Sequence, residues 1–143
     1  MRARLGETGI LSDDKRATAV FQEEAKEYRA ENPRQRRILR YRVDGQMVTD
    51  GERCDFLMGV PQLNGVYLIE LKGANLKKTA SQILATLRSL ENRIAPYRWH
   101  ARVVVSRVQR PAVRPAIVIK LEKRLAARGG RLRYASQVLV EHI

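Results

Sequence analysis

Apolar residues follow two different periods along this chain, and each change of period marks an element. Ser12 or Asp13 can cap a helix, and Ala17, Val20, Phe21 and Tyr28 then recur at helical spacing, which predicts a helix over residues 13–31. Asn32-Pro33 ends it, because proline disfavours helical backbone in the residue before it. Leu39, Tyr41 and Val43 then alternate with Arg40, Arg42 and Asp44, the pattern of a half-exposed strand. Two short apolar runs flank Pro61-Gln62-Leu63-Asn64 and predict an antiparallel hairpin. Asn75 can cap a second helix to about Arg93, with Leu76, Ala80, Ile83, Leu84, Leu87 and Leu90 on its buried stripe. Pro96-Tyr97 breaks that helix, and Val103-Val104-Val105 marks a buried strand within 99–108. Pro111 and Pro115 precede a helix through Arg128, closed by Gly129-Gly130, although Ile117-Val118-Ile119 suits helix or strand. Leu132 to Val140 reads as a last strand. Residues 1–12 carry no periodic signal and read as a mobile N-terminal lead-in, which leaves 13–143 as one domain.

The hairpin is the chemically informative stretch. If its turn pairs Val60 with Gly65, position numbers across the ladder sum to 125, and Asp55 lies directly opposite Glu70. Like charges so placed repel. Lys72 shares the face of Glu70, whereas Tyr67, Ile69 and Leu71 point to the other. A hard cation such as Mg2+ is commonly held by one or two carboxylates together with substrate phosphate, and Asp55, Glu70 and Lys72 make a site of that kind.

Asp55, a gap of fourteen residues, then Glu70-Leu71-Lys72 at the end of an apolar strand resembles the PD-(D/E)xK nuclease superfamily, which includes restriction endonucleases and small archaeal Holliday-junction resolvases. Cys54 stands where the family name has its proline. The resemblance implies an α/β fold with a restriction endonuclease-like core, a mixed central sheet flanked by helices in the order α-β-β-β-α-β-α-β. It implies a Mg2+-dependent endonuclease, with Mn2+ able to substitute, that hydrolyses phosphodiester bonds of DNA. Asp55, Glu70 and the Leu71 carbonyl would hold the metal, and Lys72 would act beside it. Members often place an acidic residue of the first helix at the metal, and helical periodicity selects Glu24; the alternative is that Glu24 pairs with an arginine at the rim of its stripe. A glutamine on the second helix often supports the site, and Gln82 fits that role, or is an ordinary solvent-facing residue. Family members of this size commonly pair to cut two strands, so a homodimer is expected.

Charge agrees with a polyanionic partner. With 28 Lys and Arg against 15 Asp and Glu, the chain carries a formal +13. Arg36, Arg40, Arg42, Lys77 and Lys78 are the candidate nucleic-acid contacts, their other reading being a solvated surface. Tyr97 and Trp99 can stack bases or close the core. No apolar run is long enough to span a membrane and no secretory signal is visible, so a cytoplasmic location is expected. Cys54 is the only cysteine, which excludes an intrachain disulfide and a cysteine-based zinc site, and His100 and His142 have no metal-like neighbours. The rival to a nuclease is a non-catalytic nucleic-acid binding module on the same scaffold. A basic interaction protein with an accidental Glu-Leu-Lys is a third reading.

Overall fold

A computed structural model describes residues 1–73, 75–107 and 114–143. In chain order its elements are α1 (Arg2–Leu5), β1 (Ile10–Asp14), β2 (Thr18–Glu23), β3 (Lys26–Glu31), β4 (Ile38–Arg42), β5 (Phe56–Val60), β6 (Gly65–Glu70), α2 (Leu76–Ile94), β7 (Arg98–Val105), α3 (Ala116–Ala126), β8 (Leu132–Ser136) and β9 (Val138–His142). The fold is mixed α/β. Among the described residues the strands form a six-stranded sheet, β1-β4-β5-β6-β7-β8, and a three-stranded sheet, β2-β3-β9. The larger sheet is antiparallel from β1 to β6 and parallel from β6 to β8.

Three layers result. Leu57, Val66, Leu68 and Ala101 pack with Ile83, Leu87 and Leu90 of α2 and Val118, Leu121 and Leu125 of α3. On the other face, Met58, Tyr67, Ile69 and Val104 pack with Phe21, Tyr28, Ala30 and Leu139 of the small sheet. Both faces of β5 and β6 are therefore covered, which is why their residues read as continuous apolar runs without alternation. The hairpin register is the expected one, with Phe56 opposite Ile69 and Val60 opposite Gly65.

The helix expected over 13–31 does not form. That stretch is the end of β1 and the hairpin β2–β3, in which Phe21 pairs with Tyr28 across a two-residue turn. The turn residues Glu24 and Ala25 have φ of 48° and 65°, the left-handed conformation of a tight hairpin, built here without the Asn or Gly that usually announces it. Ala19 and Phe21, then Tyr28 and Ala30, are buried on alternate positions of two strands. Of the expected helical stripe only Phe21 and Tyr28 are buried, and their spacing of seven is that of a cross-strand pair, whereas Ala17 is exposed and Val20 half-buried. From β4 onward the expected β-β-β-α-β-α-β succession is present. The separate lead-in is also corrected. Residues 1–12 belong to the folded body, for Leu5 is fully buried and the Tyr41 hydroxyl donates to the Gly6 carbonyl at 2.7 Å. The final strand divides at Gln137, φ 65°, which sends β8 to the large sheet and β9 to the small one. Val108 and Pro111 lie outside the described residues.

A buried polar network fastens the small sheet to the large one. Arg102 of β7 donates from Nε to Glu141 of β9 at 2.5 Å, Arg133 of β8 reaches the other oxygen at 2.8 Å, and the Tyr28 hydroxyl of β3 donates to the same carboxylate. Burial pushes the Glu141 carboxyl up, but the Arg102 contacts outweigh it and hold the group below its usual range.

Arg102→Ala is expected to cost about 3–5 kcal/mol by leaving Glu141 undercompensated in the interior, a fall in Tm of roughly 10 °C by calorimetry. Ala25→Gly, which relieves left-handed strain, is expected to raise stability by about 1 kcal/mol in denaturant titration.

Candidate functional site

The site is built where β5 begins and β6 ends. Asp55 immediately precedes β5, and its backbone N–H donates to the Ile69 carbonyl at 3.1 Å. Phe56 is already the partner of Ile69, so the strand bulges here and Asp55 stands one residue outside the ladder. The Asp55 side chain is 3% exposed. Two backbone amides compensate for its desolvation: Leu71 N–H at 2.7 Å and Lys72 N–H at 3.0 Å both donate to Oδ2. The end of β6 is thus folded around the Asp55 carboxylate.

Glu70 is fully buried at the end of β6, beside Asp55, with which it shares the Lys72 N–H. Its Oε1 accepts from Lys72 N–H at 3.3 Å, while Oε2 is buried with no hydrogen-bond partner among the described residues. Burial, then the neighbouring Asp55 carboxylate, push the Glu70 carboxyl up to about 9. In neutral solution without a cation this carboxyl therefore carries a proton.

Lys72 is half held. Its Nζ lies 3.3 Å from Asp44 Oδ2, 3.7 Å from Asp55 Oδ1 and 3.7 Å from Glu23 Oε1. Burial pulls the ammonium down, but the hydrogen bond to Asp44 and the attraction of Asp55 and Glu23 raise it above its usual value. The two outer carboxylates are themselves anchored, Asp44 by Arg53 Nε at 2.6 Å and Glu23 by Arg42 at 2.8 Å. The Arg53 hydrogen bond, more than any other cause, holds Asp44 below the usual carboxylate range. Gly73 closes the strand end because a Cβ there would stand 1.8 Å from Thr79 Cγ2 of α2.

Asp55, Glu70, Leu71 and Lys72 are therefore brought together. Gln82 lies on the same side, on α2, with Nε2 3.5 Å from the Arg53 carbonyl and Oε1 buried without a partner among the described residues. Thr86, one turn further, accepts from Cys54 N–H at 2.8 Å and fixes the segment leading into Asp55. Glu24 is not at the pair. It is exposed in the β2–β3 turn, and its neighbour Glu23 is the residue that reaches Lys72. Glu23 and Asp44 were not singled out by sequence, since one looked like the edge of a helical stripe and the other like a solvent position of a strand. Only recognition of β2–β3 as a hairpin would have placed Glu23 at a strand end.

The cationic candidates divide. Lys77 and Lys78 are exposed in the first turn of α2, where Asn75 caps Lys78 N–H at 2.8 Å. Arg36 is half-buried before β4. Arg40 is instead engaged by Ser12 Oγ at 2.8 Å and the Val20 carbonyl at 2.9 Å, and Arg42 lies over the Phe56 ring at 4.6 Å while binding Glu23. Those two are joints between sheets. Trp99 is 1% exposed and donates to the Ile94 carbonyl at 2.8 Å, a core residue rather than a stacking platform.

Among the described residues no group of three or more His, Cys, Asp or Glu is arranged to hold a metal ion. The donor set still fits one hard divalent cation, because two facing carboxylates, one with an orphaned buried oxygen, lack the positive charge that would let both ionise. Comparisons with protein-family models, curated proteins and solved structures give no match to this chain.

Glu70 binds its proton more tightly folded than unfolded, so in EDTA the native state is expected to lose stability as pH rises from about 4.5 towards about 9 and to level off above. Glu70→Gln is expected to remove that slope and to melt above the native chain at alkaline pH, as followed by circular dichroism. A Glu70→Gln protein with the native slope would contradict the assignment of the proton.

Proposed function

We propose that this chain is a divalent-metal-dependent nuclease, a DNA endonuclease of the PD-(D/E)xK type with a restriction endonuclease-like core. The observation that carries the reading is the pair of buried carboxyl groups, Asp55 and Glu70, that share the Lys72 N–H, with the Lys72 ammonium 3.7 Å from Asp55. Asp55, Glu70 and the Leu71 carbonyl are the groups that would hold Mg2+ or Mn2+. When bound, such an ion supplies charge that polarises a phosphodiester and lowers the pKa of a coordinated water.

The chain's own residues do the rest. Asp55 is fixed by the Leu71 and Lys72 amides, so its carboxylate needs no reorganisation to bind. Glu70 would have to give up its proton to hold such an ion, which would couple occupancy of the site to pH. Lys72 brings a cation to the edge of the site, where it meets negative charge developing on a phosphate oxygen. Asp44 and Glu23 position it. The net charge of +13 favours association with any nucleic-acid backbone without selecting sequence. Lys77 and Lys78, exposed at the N-terminus of α2, are the phosphate contacts this reading favours. Among the described residues no helix is long and apolar enough to cross a membrane.

Plasmid, linear and branched DNA incubated with Mg2+ or Mn2+ test the reading. Asp55→Ala and Lys72→Ala are each expected to lower cleavage by about 100-fold or more, and Asp44→Asn by about tenfold through a looser Lys72. Mn2+ at saturating concentration is expected to raise the Tm of the native chain and leave Asp55→Ala unmoved. Equal cleavage by all preparations would overturn the catalytic claim. Tight DNA binding in EDTA with no turnover on adding metal would favour the binding module.

A further inference from the structure

We propose that β9 is a dimerisation strand, pairing antiparallel with β9 of a second copy so that two three-stranded sheets merge into one of six. This inference is independent of the nuclease reading. It rests on the free edge of the small sheet.

The phase of the β3–β9 ladder decides which backbone groups are free. Glu27 N–H donates to the Gln137 carbonyl and Ile143 N–H to the Glu31 carbonyl, so odd-numbered residues of β9 turn towards β3. Val138, Val140 and His142 therefore point their N–H and C=O groups outward, and among the described residues these groups have no partner. Their side chains are also outward, Val138 47% and Val140 44% exposed.

Edge strands normally carry devices against self-pairing, such as charges, bulges or proline. The other edges of this molecule have them. β1 has a bulge between Ile10 and Ser12 and ends in Asp13-Asp14. On β2 the Val20 carbonyl is capped by Arg40. β8 carries Arg133. The outward positions of β9 carry neither lysine, arginine nor proline, in a chain where 28 of 143 residues are Lys or Arg.

The edge itself selects a second copy as the occupant, because the free groups of Val138, Val140 and His142 are spaced symmetrically about Val140 and so complement those of an identical strand running the other way. A two-fold axis at Val140 sets Val140 against its symmetry mate and Val138 against His142 of the partner subunit. All three outward residues then fall at hydrogen-bonded positions of an antiparallel ladder, giving about six new hydrogen bonds.

Sedimentation equilibrium of the full chain from about 10 to about 500 µM tests this, a range that brackets weak to moderate association. The native chain is expected to reach twice its 16.4 kDa mass. Val140→Lys, which sets two ammonium groups together on the axis, is expected to weaken association at least tenfold with unchanged circular dichroism. Leu11→Lys, on the edge strand β1, is expected to leave it intact. Independently of any variant, amide exchange of the native chain at Val138, Val140 and His142 is expected to slow as concentration rises. A native chain monomeric throughout, a Val140→Lys dimer, or exchange at these amides independent of concentration would each overturn the proposal.

Discussion

The Asp55 carboxylate, clasped by the amides of Leu71 and Lys72, is the joint on which the rest turns. It fixes the register of β5 on β6, because a slip of one residue would move Asp55 to the face occupied by Phe56 and Met58 and take the whole apolar set of β5 to the wrong layer. The same clasp shapes the strand end, so that Lys72 leaves β6 towards Asp44 and Glu23. Buried acidic groups are costly, and this one is tolerated because its donors are backbone, already oriented by the ladder.

The neighbouring Glu70 is the opposite case. Among the described residues no donor serves its Oε2, and its carboxyl is pushed far above the usual range. A fold that places such a group at the end of a central strand accepts instability that a leucine would avoid, and local conflict of this kind marks functional sites. The outer ring of charges is consistent with that view: Arg42–Glu23–Lys72–Asp44–Arg53 is a chain of alternating sign that links β4, the β2–β3 hairpin and the strand ends around the acidic pair.

Much of this was legible in the sequence, and the reasons are physical. The turn chemistry of Pro61 to Gly65 sets the pairing sum of 125 from Val60–Gly65 to Phe56–Ile69, although Asp55 reaches Glu70 through a bulge at the end of that ladder and not by direct opposition. The stripe of α2 and its Asn75 cap were equally plain, since long periodic segments leave little ambiguity. The first third misleads because Phe21 and Tyr28, seven residues apart and so on one helical face, are in fact a cross-strand pair, and Glu24-Ala25 gives no turn signal. That single error displaced the acidic residue near Lys72 by one position, from Glu23 to Glu24. Long-range partners were not legible at all. Nothing local says that Arg40 reaches Val20, or that the end of the chain leaves one sheet to pair with β3 in another.

The central claim is that the two facing carboxylates share one divalent cation. A crystal soaked in Mn2+, examined by anomalous scattering at the manganese edge, tests it most directly. The account predicts a single strong peak ligated by Asp55, Glu70 and the Leu71 carbonyl, with Lys72 beside it. Absence of a peak there, or manganese bound only at surface carboxylates such as Glu24, would contradict it.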